Sequence, residues 1–181
     1  LEDAGVLAFP VNLSAASART ITVDYASGGA MASSGTDFTA TSGTLTFSPG
    51  ETSKNINVTL IDDGVVERNE MLSMTLSSAT NATISRALGT GTINNDDSAT
   101  LSIADVQNQE GAGLTFTLTL SAPVDTDIRY YARTTDGTAQ AGDDYTALAS
   151  GSSRTISAGV QTVSLPVTIT DDGLPEPDET F

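Results

Sequence analysis

Apolar and polar residues alternate with a period of two along much of this chain. In Leu114-Thr115-Phe116-Thr117-Leu118-Thr119-Leu120 every second side chain is apolar and the intervening ones are Thr. Val163-Ser164-Leu165-Pro166-Val167-Thr168-Ile169, Ile56-Asn57-Val58-Thr59-Leu60 and Leu72-Ser73-Met74-Thr75-Leu76 follow the same rule. Side chains on an extended strand point alternately to opposite faces, so each segment predicts a strand with one face for a core and one for water. No stretch of helical length carries apolar residues at i, i+3, i+4 and i+7. Further strands are expected at about 71–77, 87–94 and 99–105. Turn signals separate the strands: Ser-Pro-Gly at 48–50, Asp-Asp-Gly at 62–64 and 171–173, and Asp-Gly at 136–137. Short strands at this spacing predict an all-β, antiparallel β-sandwich.

The pattern occurs twice. Leu60-Ile61-Asp62-Asp63-Gly64-Val65-Val66-Glu67 returns as Ile169-Thr170-Asp171-Asp172-Gly173-Leu174-Pro175-Glu176, 109 residues later. Gly35-Thr36-Asp37-Phe38 returns as Gly142-Asp143-Asp144-Tyr145, and Leu13-Ser14 as Leu120-Ser121, both 107 residues later. A small insertion accounts for the change in offset. Two sandwich modules in tandem are therefore expected, residues 1–97 and 98–181. The strand at 99–105 has no counterpart before Glu2, and those at 71–77 and 87–94 have none after Phe181. The expectation is a piece of a longer protein with each module incomplete, and with unpaired strands that would permit homo-oligomers.

Composition narrows the chemistry. The chain of 181 residues has 23 acidic and 7 basic residues, a net charge of −16, and no His, Cys or Trp. Without Cys there is no disulfide, thiolate nucleophile or zinc–thiolate site; without His there is no Ser-His-Asp triad. The charge opposes binding to nucleic acid or an anionic membrane surface and admits hard cations. No apolar run is long enough to span a bilayer as a helix, and no signal-peptide pattern opens the sequence. Aromatic residues make up 5%, too few for the platforms of a glycosidase cleft, so the expectation is a non-enzyme. Tyr25, Tyr130, Tyr131 and Tyr145 are expected to pack on strands, and Phe47 and Phe116 in the sandwich core.

The acidic residues gather at turns: Asp37, Asp62, Asp63, Glu67, Glu70, Asp96 and Asp97 in the first module, Glu110, Asp143, Asp144, Asp171, Asp172, Glu176, Asp178 and Glu179 in the second. Adjacent carboxylates repel unless solvated or bridged by a cation. Ca²⁺ takes six to eight oxygens, and loops at one end of a sandwich converge, so these groups can meet around an ion. Asp and Gly are also good turn residues in any acidic protein, and both readings stand at this level.

The motifs resemble Calx-beta domains. They are Glu110-Gly111, Asp136-Gly137-Thr138-Ala139, Ala141-Gly142-Asp143-Asp144-Tyr145, Gly43-Thr44-Leu45-Thr46-Phe47-Ser48-Pro49-Gly50-Glu51-Thr52 and Thr92-Ile93-Asn94-Asn95-Asp96-Asp97. Calx-beta domains are known from sodium–calcium exchangers, integrin β4 and large bacterial surface proteins. The resemblance implies an immunoglobulin-like sandwich and Ca²⁺ held by Glu2, Asp37, Asp62, Asp63, Glu67, Asp96 and Asp97 in the first module. In the second it implies Glu110, Asp144, Asp171, Asp172 and Glu176, with Glu70 and Glu179 as further candidates. Asn95 stands where the family often has Asp, which removes one carboxylate. The expected role is a calcium-binding spacer or adhesive stalk of an extracellular bacterial surface protein, with calcium stiffening the junction between modules. Its expected partners are neighbouring repeats, calcium ions, and a cell-surface protein or glycan. The alternatives are a regulatory calcium sensor of a membrane transporter or receptor, and a glycan-binding module.

Overall fold

The computed structural model describes residues 1–173 and 177–181. Contacts divide the chain into two compact units. One comprises Leu1–Gly64 and Arg68–Asp97, the other Val65–Glu67 and Ser98–Phe181. Both are antiparallel β. The helical content among the described residues is one 3₁₀ turn, Glu2–Ala4.

The first unit is a sandwich of two sheets. One pairs β1 (Val6–Asn12) with β4 (Ser53–Thr59). The other has the order β3 (Ser42–Phe47), β2 (Ile21–Gly29), β5 (Glu70–Thr80), β6 (Leu88–Ile93). Alternation explains which residues meet between them. Phe9 from β1, Ile56 and Val58 from β4, Leu72 and Met74 from β5 and Ile93 from β6 form one buried cluster, to which a loop adds Phe38. Ile21 and Val23 of β2 with Phe47 of β3 form a second. The intervening Ser, Thr and Asn face water, so each strand separates its two chemistries by pleating alone. A β-bulge between Thr22 and Asp24 lets β5 follow β2 with one extra residue.

The second unit repeats this plan in part. β8 (Leu114–Leu120) lies between β7 (Leu101–Ile103) and β11 (Thr162–Val167). β9 (Ile128–Tyr131) pairs with β10 (Ser153–Ile156). The repeat offsets equate β8 with β1, β9 with β2, β10 with β3 and β11 with β4. The short β7 pairs through Leu101, Ser102 and Ile103. Leu114, Ala139, Tyr145 and Val167 make the core, with Phe116 and Phe181 packed against it. Tyr145, expected on a strand, sits in a loop with bridges to Ala141 and Ile169 and is 1% exposed. Its hydroxyl donates to Asp136 Oδ1 at 2.6 Å. Tyr131, also expected to pack, is 68% exposed, because it shares the outward face of β9 with Arg129, opposite Ile128 and Tyr130.

Candidate metal centre

The loops that join strands at one end of the first sandwich bring its acidic turns together. After β2 the chain makes a tight turn in which the Ser33 N–H donates to Asp37 Oδ2 and the Asp37 N–H donates to the Ser33 carbonyl at 3.0 Å. Gly35 within it has φ 99°, a left-handed conformation that favours glycine. The Ile61 N–H then donates to the Asp37 carbonyl at 3.0 Å, which docks the start of the Asp62-Asp63-Gly64 turn beside Asp37. The Glu2 N–H donates to the Asn94 carbonyl at 3.1 Å and to Asp96 Oδ1 at 3.2 Å. The Asn95 N–H donates to Asn69 Oδ1 at 3.1 Å, tying the closing run to the head of β5. Backbone N–H groups thus anchor each of these acidic segments.

Among the described residues, the buried acidic side chains are Glu2 and Asp37, 2% and 5% exposed. Burial raises the Glu2 carboxyl to about 7, and the charges of Asp63, Asp97, Asp62 and Asp96 push it the same way. Burial followed by Asp62, Asp96 and Asp63 raises the Asp97 carboxyl. Asp97 Oδ2 is buried without a hydrogen-bond partner. Asp3 shares a hydrogen bond with Asp96, which raises its carboxyl as well. Asp37 and Glu70 turn carboxylate oxygens to within 4.8 Å of each other, whereas Glu67, three residues before Glu70 in the chain, falls in the other compact unit. This donor set is all oxygen, and its electrostatic strain is of the kind a hard cation relieves, so its chemistry fits Ca²⁺.

The structure therefore places Glu2, Asp62, Asp63, Asp96 and Asp97 in one electrostatic group. Asp37 and Glu70 form a second, joined to the first through the Asp37–Ile61 hydrogen bond. Asp3 belongs to the first group and was not among the expected residues; its adjacency to Glu2 was the available signal. Asn95, where one carboxylate is lost, braces the run instead, its side-chain amide donating to the Asp97 carbonyl at 3.0 Å.

In the second unit the same turn recurs. The Gln140 N–H donates to Asp144 Oδ2 at 2.6 Å, and the Thr170 N–H to the Asp144 carbonyl at 2.8 Å. Burial, the charge and hydrogen bond of Asp144, and the charge of Glu110 raise the Glu179 carboxyl. Glu110, Asp144 and Glu179 are thus neighbours, with Glu179 in the role of Glu70. Asp171 Oδ1 accepts the Gly173 N–H at 2.9 Å within its own turn. Asp171 Oδ2 lies 3.1 Å from where a Cβ on Gly111 would stand, so Gly111 is what lets Asp171 approach beside Glu110. Asp172 belongs to the same turn. Glu176 lies outside the described residues.

The Calx-beta domain model matches residues 1–107 and 92–181. The chain belongs to the Calx-beta family. It is 36% identical over 83 residues to adhesion G-protein coupled receptor V1 of Danio rerio, covering 46% of this chain and 1% of the receptor. It is 41% identical over 59 residues to sodium/calcium exchanger 1 of Canis lupus familiaris, covering 33% of this chain and 6% of the exchanger. The chain thus spans a small part of the curated relatives it matches. Among solved structures, the apo form of the Calx CBD1 domain aligns with TM-score 0.50 and 28% identity, over 53% of this chain and 87% of that one. The tandem CBD12 of CALX1.2 aligns with TM-score 0.50 and 20% identity, over 93% of this chain and 71% of that one, which establishes likeness of fold.

Proposed function

We propose that this chain is a calcium-binding tandem module in which each unit gathers Ca²⁺ at its acidic loop end. In the first sequence module, residues 1–97, the ligands are drawn from Glu2, Asp37, Asp62, Asp63, Glu67, Glu70, Asp96 and Asp97, and in the second, residues 98–181, from Glu110, Asp144, Asp171, Asp172, Glu176 and Glu179. The observation that carries this reading is the pair of strained groups in the first unit: Asp97 Oδ2, buried without a hydrogen-bond partner, and Glu2, buried among four aspartates. A bound cation converts that repulsion into attraction. Solved CBD12 of CALX1.1, a chain of similar fold, is a calcium binding domain, and that supports the same reading.

Thermal unfolding in EDTA and in calcium tests it. Free Ca²⁺ at 100 times its Kd stabilises the folded unit by about 2.7 kcal/mol, roughly 10 °C or more in Tm for a unit of this size. Coincident melting curves in EDTA and in millimolar calcium would refute it.

Two settings fit such a module. The first is a spacer or adhesive stalk outside the cell, supported by the tandem repeat and by the likeness to an adhesion receptor. The second is a regulatory calcium sensor, supported by the likeness to sodium/calcium exchangers. Affinity separates them. Sensors of resting and stimulated cytosol bind at roughly 10⁻⁷–10⁻⁵ M, whereas extracellular modules bind at roughly 10⁻⁴–10⁻³ M. Calorimetric titration of the intact chain with CaCl₂ measures which range applies.

A further inference from the structure

Asp136 stands outside the calcium ligands proposed above, yet its carboxylate has a defined task. Asp136 Oδ1 accepts the Ala141 N–H at 3.0 Å and the Tyr145 hydroxyl at 2.6 Å. These two donors flank the turn that presents Asp144. Within that turn the Gln140 N–H donates to Asp144 Oδ2 at 2.6 Å, and the Asp144 N–H donates to the Gln140 carbonyl at 3.0 Å. One carboxylate oxygen therefore staples both sides of the segment that aims another. The bonds continue beyond it. The Thr134 hydroxyl bonds to the Tyr145 phenol oxygen, and Thr134 Oγ1 accepts the Leu148 N–H at 3.1 Å. Tyr145 is buried, so the turn cannot open at Asp136 without leaving a buried hydroxyl unsatisfied.

The first unit reaches the same turn by another route. With the 107-residue offset, Ser27 and Thr41 match Thr134 and Leu148, and Ser27 Oγ likewise accepts the Thr41 N–H at 2.8 Å. Gly29 stands where Asp136 does, and Phe38 where Tyr145 does, so donor and acceptor are replaced together. A Cβ on Gly29 would collide with the Ala32 carbonyl, which leaves no room there for a carboxylate. The stretch before Asp37 is tied instead to the head of β5: the Ala30, Met31 and Ala32 N–H groups donate to the Met71 carbonyl at 3.2, 2.9 and 3.0 Å.

We infer that Asp136 and Tyr145 are positioning residues for calcium in the second unit, holding the 140–145 turn so that the Asp144 carboxylate is aimed before an ion arrives. This rests on the reading of Asp144 as a calcium ligand. Asp136 acts through its two hydrogen bonds rather than as a ligand or a nearby charge. A ligand held in place by its neighbours binds without first ordering its own loop. The two units are thereby set to respond differently to the same chemistry: loss of the Asp136–Tyr145 bond weakens the second site and leaves the first as it was.

Amide spectra of the intact chain titrated with CaCl₂ test this, since the Asp144 and Thr170 amides report the second unit and that of Ile61 the first. Asp136→Ala and Tyr145→Phe should each raise the calcium Kd of the second unit about tenfold, with the Ile61 response unchanged. The double variant should be no weaker than Asp136→Ala alone, because both changes remove one bond. Asp136→Asn keeps the acceptor and loses the charge, so its Kd should stay within about twofold of the parent. Leu118→Val, a core change in β8 away from the turn, should lower the melting transition of the unit and leave its Kd unchanged. Unchanged Kd in Tyr145→Phe would overturn the inference. So would Asp136→Asn weakening binding as much as Asp136→Ala, which would make the charge the cause, or Leu118→Val weakening it equally, which would make the role merely structural. Amide exchange in EDTA reads the same turn without metal. Tyr145→Phe should speed exchange at Gln140 and Asp144 while β8 stays protected, and unaltered exchange there overturns the positioning role. Parent Asp144 and Thr170 amides that ignore CaCl₂ would refute the calcium reading of this unit instead.

Discussion

Replacing Glu2 by Gln should stabilise the metal-free protein and weaken its response to calcium. Glu2 is 2% exposed, and its carboxyl stands at about 7 rather than its ordinary 4.5. At about 1.4 kcal/mol per pKa unit, ionising it in the folded unit works against about 3 kcal/mol. Solvent at the sandwich end screens part of this, leaving about 1–2 kcal/mol. The sign follows from proton linkage. A carboxyl with a higher pKa folded than unfolded holds more protons in the folded state, so stability falls as pH rises from about 4.5 to about 7 and is level above that. Gln has no charge to strain at any pH and keeps the backbone bonds of residue 2 to Asn94 and Asp96. In EDTA at pH 8 the variant should melt about 5–10 °C above the parent. At pH 4 the two should melt together. With saturating calcium the order should close or invert, because the parent supplies a charged ligand and the variant does not. Differential scanning calorimetry in EDTA and in calcium at both pH values reads all four conditions. A variant that melts at or below the parent in EDTA at pH 8 would refute the electrostatic account of this site.

Asp37 has two tasks, since Oδ2 caps the Ser33 N–H while the carboxylate also approaches Glu70. Asp37→Asn should keep most of the turn and lose calcium affinity in titration calorimetry. Asp37→Ala should in addition lower metal-free stability by about 1–3 kcal/mol in denaturant titration. Tyr145→Phe removes the hydroxyl that donates to Asp136 at 2.6 Å. It should destabilise the second unit by about 1–3 kcal/mol, visible as a lower melting transition of that unit, while leaving calcium binding by the first unit unchanged.

The strands were legible in the sequence because a period of two is a local property. Leu114–Leu120 reads as alternating and folds as β8, with Leu114, Leu118 and Leu120 buried. The repeat was equally legible. Asp37 and Asp144 share a turn and a hydrogen-bonding scheme because the residues that build it, down to the left-handed Gly35 and Gly142, recur in order. Spacing could nominate the acidic residues, since turns are where Asp and Gly gather. It could not rank them. Glu2 and Asp37 are buried, and Glu70 reaches Asp37 and Glu179 reaches Asp144, because the stacking of two sheets decides which loop ends face each other across tens of residues. The charges that crowd Glu2 belong to groups sixty or more residues away along the chain. Tyr131 shows what alternation does settle: with Arg129 it takes the outward face of β9, opposite Ile128 and Tyr130, and it is 68% exposed. Alternation determines which face a side chain takes; tertiary packing determines what that face meets.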